Sequence, residues 1–347
     1  MNLFSHPEFD NHEQVAFFRD AKTGLKAIVA IHNTNLGPSL GGCRMWPYAN
    51  DADALTDVLR LSRGMTYKSA LAGLPLGGGK CVIIGDPRKD KSEALLQRLG
   101  EFIEGLSGAY ITAEDSGTSV ADMAVIGQRT RFAAGVVEGA EHGGDPSPST
   151  AYTTFVGLKT AVRQRLGRND LNGLTVALQG VGNVGYYLAR HLHQAGARLI
   201  VTDIVQANLQ RAVDEFGARV VAPELIFGVD ADVFAPCAMG GVINEHTLPQ
   251  LKCTVIAGAA NNQLATPEFG EQLLRKEILY TPDYVLNAGG IIDIAYQRSG
   301  EGAEALQQHL DSIGLRLARI FERAAAQGLP PHVVADQLAE ETFNPHA

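Results

Sequence analysis

The run Gly180-Val181-Gly182-Asn183-Val184-Gly185 limits the possible folds more than any other feature of the chain. It follows an apolar stretch, 174–179, that reads as a strand. It opens a segment, 181–196, in which Val184, Leu188, His191, Leu192 and Ala195 share one helical face. Asp203 lies 18 positions after Gly185, at the end of the next strand-like run, 199–203. A G-x-G-x-x-G run alone is weak, but strand, turn, helix and distal acid together form a dinucleotide-binding context. Each glycine has its own physical task. Gly180 permits the tight turn, Gly182 lets backbone approach a pyrophosphate, and Gly185 lets helix lie close to strand. The helix start then offers unpaired N–H groups, with Asn183 and Val184 in its first turn. A carboxylate at Asp203 accepts ribose hydroxyls and repels a 2′-phosphate. Ile204, Val205 and Gln206 bring no arginine to neutralise one, so NAD is expected rather than NADP.

Apolar runs at 231–236, 254–258 and 283–287 read as further strands, and alternating strands and helices imply a doubly wound parallel sheet. The first half looks mixed. Residues 25–31 read as a strand, 51–72 as a helix with Leu55, Val58, Leu59, Ser62 and Met65 in step, and 73–80 as a glycine-rich loop. Residues 81–84 read as a short strand, 91–106 as a helix, and 110–113 as a strand running into Glu114 and Asp115. The turn-rich segment GGDPSPST, 143–150, marks a boundary. The 347 residues suit two domains at about 150 residues each. The expected fold is α/β, with two domains separated by a cleft. Residues 1–145 form a mixed α/β substrate-binding and catalytic domain, and 146–347 form a Rossmann-type domain plus C-terminal helices. Leu306, Leu310, Ile313, Leu317, Ile320 and Ala324 define a helix of about seven turns, which could pack back on the first domain.

Hydrophobic residues at 45% and charged residues at 19% exclude a disordered chain. Lys plus Arg number 29 against 38 Asp plus Glu, a net charge of −9, which argues against a nucleic-acid partner. The chain contains no apolar run of about 18 residues, so no membrane association is expected. The N-terminus shows no secretory pattern. Cys43, Cys81, Cys237 and Cys253 are widely spaced and form no C-x-x-C pair, so neither a metal site nor a disulfide framework is expected. Reduced thiols in a cytoplasmic protein follow.

The chemistry-bearing residues outside the nucleotide motif lie in the first half. Lys68 follows a helix, Lys80 ends the triple glycine and precedes a buried strand, and Asp115 sits past a strand end. Lysines beside glycine-rich backbone can hold a small carboxylate, and a nearby aspartate can act as general base. The plain alternative for any single lysine is a solvated surface charge.

Here the sequence resembles the glutamate/leucine/phenylalanine/valine dehydrogenases, and among them the leucine-acting members most. The segment LPLGGGKCVIIGDP, 74–87, is similar to that family's active-site signature. GGCRMWPY (41–48), MTYKSALAGLP (65–75), TAEDSGT (112–118), GDPSPSTAY (144–152), APCAMGG (235–241), IAGAANNQL (256–264) and DYVLNAGGIID (283–293) match in order. The resemblance spans about residues 10–330. It implies reversible NAD-dependent oxidative deamination of an L-amino acid to a 2-oxo acid, ammonium and NADH. By position, Lys68 and Asn262 would bind the substrate carboxylate, and Gly41 and Gly42 would allow close backbone approach. Lys80 would activate water and stabilise the carbinolamine oxyanion, and Asp115 would shuttle protons at the amine nitrogen. Thr150, Asn183, Val184, Asp203, Ala238, Asn261 and Asn287 match dinucleotide-contacting positions, beside Gly180, Gly182 and Gly185. A homo-oligomer, dimer or octamer, is implied.

The family's side-chain pocket positions match Leu40, Ala113, Ile291 and Ile294. All are uncharged, so a glutamate side chain would find no partner for its charge, and leucine, valine or isoleucine is favoured. An aromatic amino acid is the alternative, because such a pocket discriminates a methylene by only about 1–3 kcal/mol. Asp293 and Tyr296 lie near the same wall. A 2-hydroxy-acid dehydrogenase would need a histidine acid/base, and only His142 lies near these motifs.

Overall fold

The computed structural model describes residues 3–136 and 145–344. The chain divides into two compact units. The first holds the described residues of Met1–Asp145, Gln297–Gly300 and Ala339–Ala347, and the second holds Pro146–Tyr296 and Glu301–Leu338.

The first unit contains β1 (Gln14–Asp20), β2 (Leu25–Asn33), β3 (Ser39–Trp46), α1 (Asp51–Ala72), β4 (Gly77–Ile84), α2 (Glu93–Gly105), β5 (Tyr110–Glu114) and α3 (Val120–Gly127). Its sheet runs β1-β2-β4-β3-β5. β1, β2 and β4 pair antiparallel, whereas β4, β3 and β5 pair parallel. β2 is apolar almost throughout because both its faces are covered. Ile28 and Ala30 meet Ala54, Leu55, Val58 and Leu59 of α1. Val29 and Ile31 belong to the cluster that holds Leu95, Leu99 and Ile103 of α2 and Met123 and Ile126 of α3. α1 starts where the Asn50 side chain accepts a hydrogen bond from the Asp53 N–H, and ends at Gly73 with φ 72°.

The second unit contains α4 (Ser147–Leu166), β6 (Thr175–Gln179), α5 (Asn183–Gln194), β7 (Arg198–Thr202), α6 (Gln206–Phe216), β8 (Arg219–Val220), β9 (Val233–Pro236), β10 (Val255–Ile256), α7 (Glu268–Arg275), β11 (Leu279–Tyr280) and α8 (Asp283–Leu286). α9 (Gly289–Ser299), α10 (Ala303–Gln327) and α11 (Pro331–Phe343) follow. α9 and α11 each end on residues assigned to the first unit. The second sheet runs β11-β10-β9-β6-β7-β8, and every pairing in it is parallel. From β6 the chain winds outward through β7 and β8, then returns to β9 on the other side of β6. Strand order therefore reverses between β6 and β9, and in open α/β sheets such a reversal is where ligands bind.

Four sequence expectations change. Residues 77–80 are not a loop: Gly77, Gly78, Gly79 and Lys80 begin β4. Glycine has low strand propensity, but here flat backbone is required. A Cβ on Gly78 would stand 2.1 Å from the Thr66 N of α1, and one on Gly79 2.7 Å from the Tyr110 ring. Lys68 does not follow a helix but lies inside α1. Residues 283–286 form α8 instead of a strand, since a run as short as Asp-Tyr-Val-Leu carries no readable period. The long helix, α10, packs within its own unit: a Cβ on Gly157 of α4 would reach 2.2 Å from Leu286 and 2.7 Å from Leu317. It is the end of α11 that joins the first unit, where Glu340 accepts the Tyr67 hydroxyl at 2.7 Å. Two strands, β1 and β3, had no sequence signal: β1 has no buried face, and glycines interrupt β3. Gly143 and Gly144 of the boundary motif, and His142, lie outside the described residues.

Gly78→Ala tests the α1–β4 spacing. The added methyl meets backbone, which cannot rotate away, so a loss of about 2 kcal/mol or more is expected in urea denaturation. Gly105→Ala, whose Cβ meets nothing within 4 Å, should cost less than about 0.5 kcal/mol. Equal effects would show that Gly78 does not set the spacing.

Candidate active site and dinucleotide cradle

Three adjacent parallel strands assemble the polar centre of the first unit. β4 carries Lys80 in register with Ala30 of β2, and Gly42 of β3 stands opposite Ala113 of β5, two residues before Asp115. Lys80 is only 4% exposed, and its ammonium donates a hydrogen bond to Asp115 Oδ2. Gly42 makes room for that pair, because a Cβ there would be 2.7 Å from Asp115 Cβ and 2.9 Å from its Oδ2. Gly41 is equally constrained by the Gly79 carbonyl, 1.7 Å from its ideal Cβ. The turn after β5 is fixed by Thr118. Its hydroxyl accepts from the Asp115 N–H at 3.0 Å and donates to the Cys43 carbonyl at 2.7 Å.

Asp115 does not face Lys80 alone. Arg44 of β3 donates from Nε to Asp115 Oδ1 at 3.1 Å and from Nη1 to Asp57 Oδ2 at 2.9 Å. The Tyr48 hydroxyl donates to that same Asp57 oxygen at 2.6 Å. Burial pushes the Asp115 carboxyl up, but the Lys80 and Arg44 cations outweigh it, and the group sits well below the ordinary carboxylate range. Glu114, the preceding acid, is shifted upward by burial, with Asp145 and Asp115 adding to the effect. Two neighbouring carboxyls are thus driven apart. Burial and the bond to Asp57 raise the Tyr48 phenol, so it stays a donor. Arg44, Asp57 and Tyr48 were not singled out in the sequence, although GGCRMWPY contains two of them. The available signal was strand alternation: Arg44 lies two residues beyond Gly42, on the same face.

In the second unit the three glycines differ as their spacing requires. Gly180 adopts φ 90°, and an added Cβ would sit 2.9 Å from that of Ala238. Ala238 follows β9, so it and Gly180 flank the strand reversal. A Cβ on Gly185 would stand 2.0 Å from the Gly180 carbonyl, whereas Gly182 has nothing within 4 Å of its ideal Cβ. α5 starts at Asn183 and has no side-chain cap. Its N-terminal N–H groups, above an open Gly182, suit an anion. Asp203 follows β7 and accepts the Val181 N–H and the Val205 N–H, both at 2.8 Å. It is therefore part of what holds the glycine turn to the end of β7, and it is not the cap of α6, which is Val205.

Asn287 donates to the Ala259 carbonyl at 3.0 Å and to Asn261 Oδ1 at 2.7 Å, while its own buried Oδ1 has no hydrogen-bond partner. A buried acceptor left unsatisfied is costly, and an amide-bearing ligand would satisfy it. With the uncapped α5 and the open Gly182, this makes the donor and acceptor set fit a nicotinamide dinucleotide. Thr150, in the first turn of α4, donates to the Pro146 carbonyl at 2.8 Å. Asn262 is exposed, with φ 53°, a conformation that asparagine tolerates.

The proposed side-chain pocket residues divide between the units. Leu40 at 1% and Ala113 at 3% exposure lie in the first sheet, whereas Ile291 at 6% and Ile294 at 9% lie three apart on α9. Asp293 is buried and accepts the Ser149 hydroxyl at 2.6 Å, so it ties α9 to α4. Tyr296 pairs with His309, 3.2 Å from Nδ1.

Among the described residues, no group of three His, Cys, Asp or Glu side chains could hold a metal ion, and no helix is long and apolar enough to cross a membrane.

Comparison with known proteins adds an independent line. Residues 12–132 match the family model "Glu/Leu/Phe/Val dehydrogenase, dimerisation domain", and 145–207 and 201–325 match "Glutamate/Leucine/Phenylalanine/Valine dehydrogenase". The chain is 52% identical over 341 residues to leucine dehydrogenase of Geobacillus stearothermophilus, covering 98% of this chain and 93% of that one. It is 44% identical over 345 residues to L-tryptophan dehydrogenase of Nostoc punctiforme, covering 99% and 97%. The crystal structure of L-tryptophan dehydrogenase from Nostoc punctiforme superposes with a TM-score of 0.84 at 43% identity, covering 96% of each chain. Matches of this extent, on a mixed sheet followed by a doubly wound parallel one, show that the chain belongs to the Glu/Leu/Phe/Val dehydrogenase family.

Proposed function

We propose that the protein catalyses reversible, NAD-dependent oxidative deamination of a branched-chain L-amino acid, giving the 2-oxo acid, ammonium and NADH. The observation that carries this is the buried Lys80–Asp115 pair, given its room by Gly42. In this reading Lys68 and Asn262 bind the substrate carboxylate. Lys80, held inside the sheet, orients a water for attack at the carbon and donates to the oxyanion that develops there. Asp115 stays ionised through the neutral range and can take and return a proton at the amine nitrogen. When bound, NAD accepts the hydride from the substrate carbon. Gly180, Gly182, Gly185, Asn183 and Val184 would cradle its pyrophosphate, Asp203 its adenosine ribose, and Thr150, Ala238, Asn261 and Asn287 the rest.

Leu40, Ala113, Ile291 and Ile294 offer only hydrocarbon, which supports an apolar side chain. The 52% likeness to a leucine dehydrogenase, against 44% to an L-tryptophan dehydrogenase, supports an aliphatic one. Uncharged residues after Asp203 support NAD over NADP. We take the protein to be cytoplasmic, in keeping with its four free cysteines, and homo-oligomeric, as a dimer or octamer that light scattering would distinguish.

A panel of amino acids, followed by NADH formation, tests the substrate. Leucine, valine and isoleucine should exceed phenylalanine and tryptophan in kcat/KM, and the reverse order would make the enzyme an aromatic amino-acid dehydrogenase. NAD should exceed NADP in kcat/KM by about tenfold or more, since a carboxylate at the ribose repels the extra phosphate. Lys80→Ala should lower kcat by about a thousandfold while NADH still binds by fluorescence, and near-native turnover would refute the role of Lys80.

The pH dependence of stability follows from the depressed Asp115. A carboxyl lowered on folding stabilises the protein above its unfolded value of 3.8, and that stability is lost as pH falls through the lower folded value. Asp115→Asn should therefore melt below wild type at neutral pH, with the gap closing below about pH 4. A gap that is constant with pH would show that Asp115 is not held ionised.

A further inference from the structure

We propose that Arg44 is a positioning residue that fixes the orientation of the Asp115 carboxylate by tying it to helix α1. The proposal rests on the amino-acid dehydrogenase reading above and adds a residue to it.

The geometry is a chain of three links. Arg44 Nε holds Asp115 Oδ1, Arg44 Nη1 holds Asp57 Oδ2, and the Tyr48 hydroxyl braces that same Asp57 oxygen. A planar guanidinium donates in fixed directions, so bridging two carboxylates on different elements sets the angle of each, which a lysine cannot do. Asp115 Oδ1 also accepts the Ser116 N–H at 2.5 Å. One carboxylate oxygen is thereby occupied by the scaffold, and Oδ2 alone is presented to Lys80. Without Arg44 only the Ser116 N–H restrains Oδ1, and the carboxylate can turn both oxygens toward the Lys80 ammonium. Each group would then be engaged by the other instead of by substrate.

The far end of the strut is placed with equal definition. Asp57 and Lys68 are eleven residues apart on α1, about three turns, and so share a face of that helix. Arg44 thus couples the proton-transfer pair to the helix face that bears the carboxylate-binding lysine. The Arg44 side chain is 25% exposed and borders a cavity of about 440 Å³ together with Tyr48, Asp57 and Ser116. Its replacement therefore opens no hole in the apolar core.

Arg44→Gln and Arg44→Lys, assayed beside wild type with the same amino acid and NAD, test the proposal. Wild-type turnover decides the dehydrogenase reading, and the ratio of variant to wild type decides the role of Arg44. Arg44→Gln should lower kcat by about tenfold or more with the amino-acid KM within about threefold, because the strut orients a proton-transfer group and does not bind substrate. Arg44→Lys should recover little of the lost kcat, since it restores the charge without the bridge. The proposal is overturned by an Arg44→Gln kcat within about twofold of wild type, by a loss carried mainly in KM, or by an Arg44→Lys with kcat close to wild type. NADH binding by fluorescence checks folding in each variant. Should Arg44→Gln fail to fold, Asp57→Asn carries the test. It removes the charge that anchors the strut, and should lower kcat by about threefold or more at unchanged KM. An unaltered kcat in Asp57→Asn would reject the strut.

Discussion

A lysine and an aspartate paired inside a sheet impose strict conditions on everything around them. Taking both charges out of water costs several kcal/mol each, and their attraction repays that only with good geometry and further hydrogen bonds. The first unit supplies these conditions through missing side chains as much as through present ones. Gly42 leaves the volume that Asp115 occupies, Gly78 lets α1 lie against β4, and Gly79 clears the Tyr110 ring. Arg44 and the Ser116 N–H then satisfy the oxygen that Lys80 does not take. A side chain at Gly42 would leave the Asp115 carboxylate no room.

The second unit meets a different constraint by similar means. A parallel sheet whose strand order reverses leaves a crevice at the reversal, and the glycine turn after β6 lies there beside Ala238 after β9. Gly185 brings α5 down onto the Gly180 carbonyl, while Gly182 and the uncapped helix end stay available. Asp203 has two duties. Its carboxylate accepts two backbone N–H groups that hold the turn together, and in the proposed function it also receives the adenosine ribose. On that proposal, conformational support and recognition rest on the same side chain, so substitution there would affect both.

The polar network around Asp115 also shows how one environment assigns different states to adjacent acids. Asp115 is driven down by two cations, while its neighbour Glu114 is driven up by burial and nearby carboxylates. Pairs whose environments separate their titrations are a mark of acid–base sites. The pattern needs the third dimension, since the cations come from β3 and β4 and the acids from the end of β5 and the turn after it.

Much was written in the chain itself. The glycine spacing, the strand before it and the acid at Asp203 identify a dinucleotide cradle, because those residues act within one continuous segment. The period of 51–72 sets α1 for the same local reason. Lys80 and Asp115 could be named from motifs, but not their pairing, because the contact joins residues thirty-five apart in sequence. Residues 77–80 read as loop because glycine propensity is a local quantity, whereas their strand conformation is dictated by the helix that must pack above them. The short run 283–286 could not be told from a strand because four residues carry no readable period. Arg44 had only strand alternation to mark it, two residues beyond Gly42 in β3. Its role exists only where β3, β5 and α1 converge, since a guanidinium becomes a strut only when two carboxylates from distant segments are brought to its two edges.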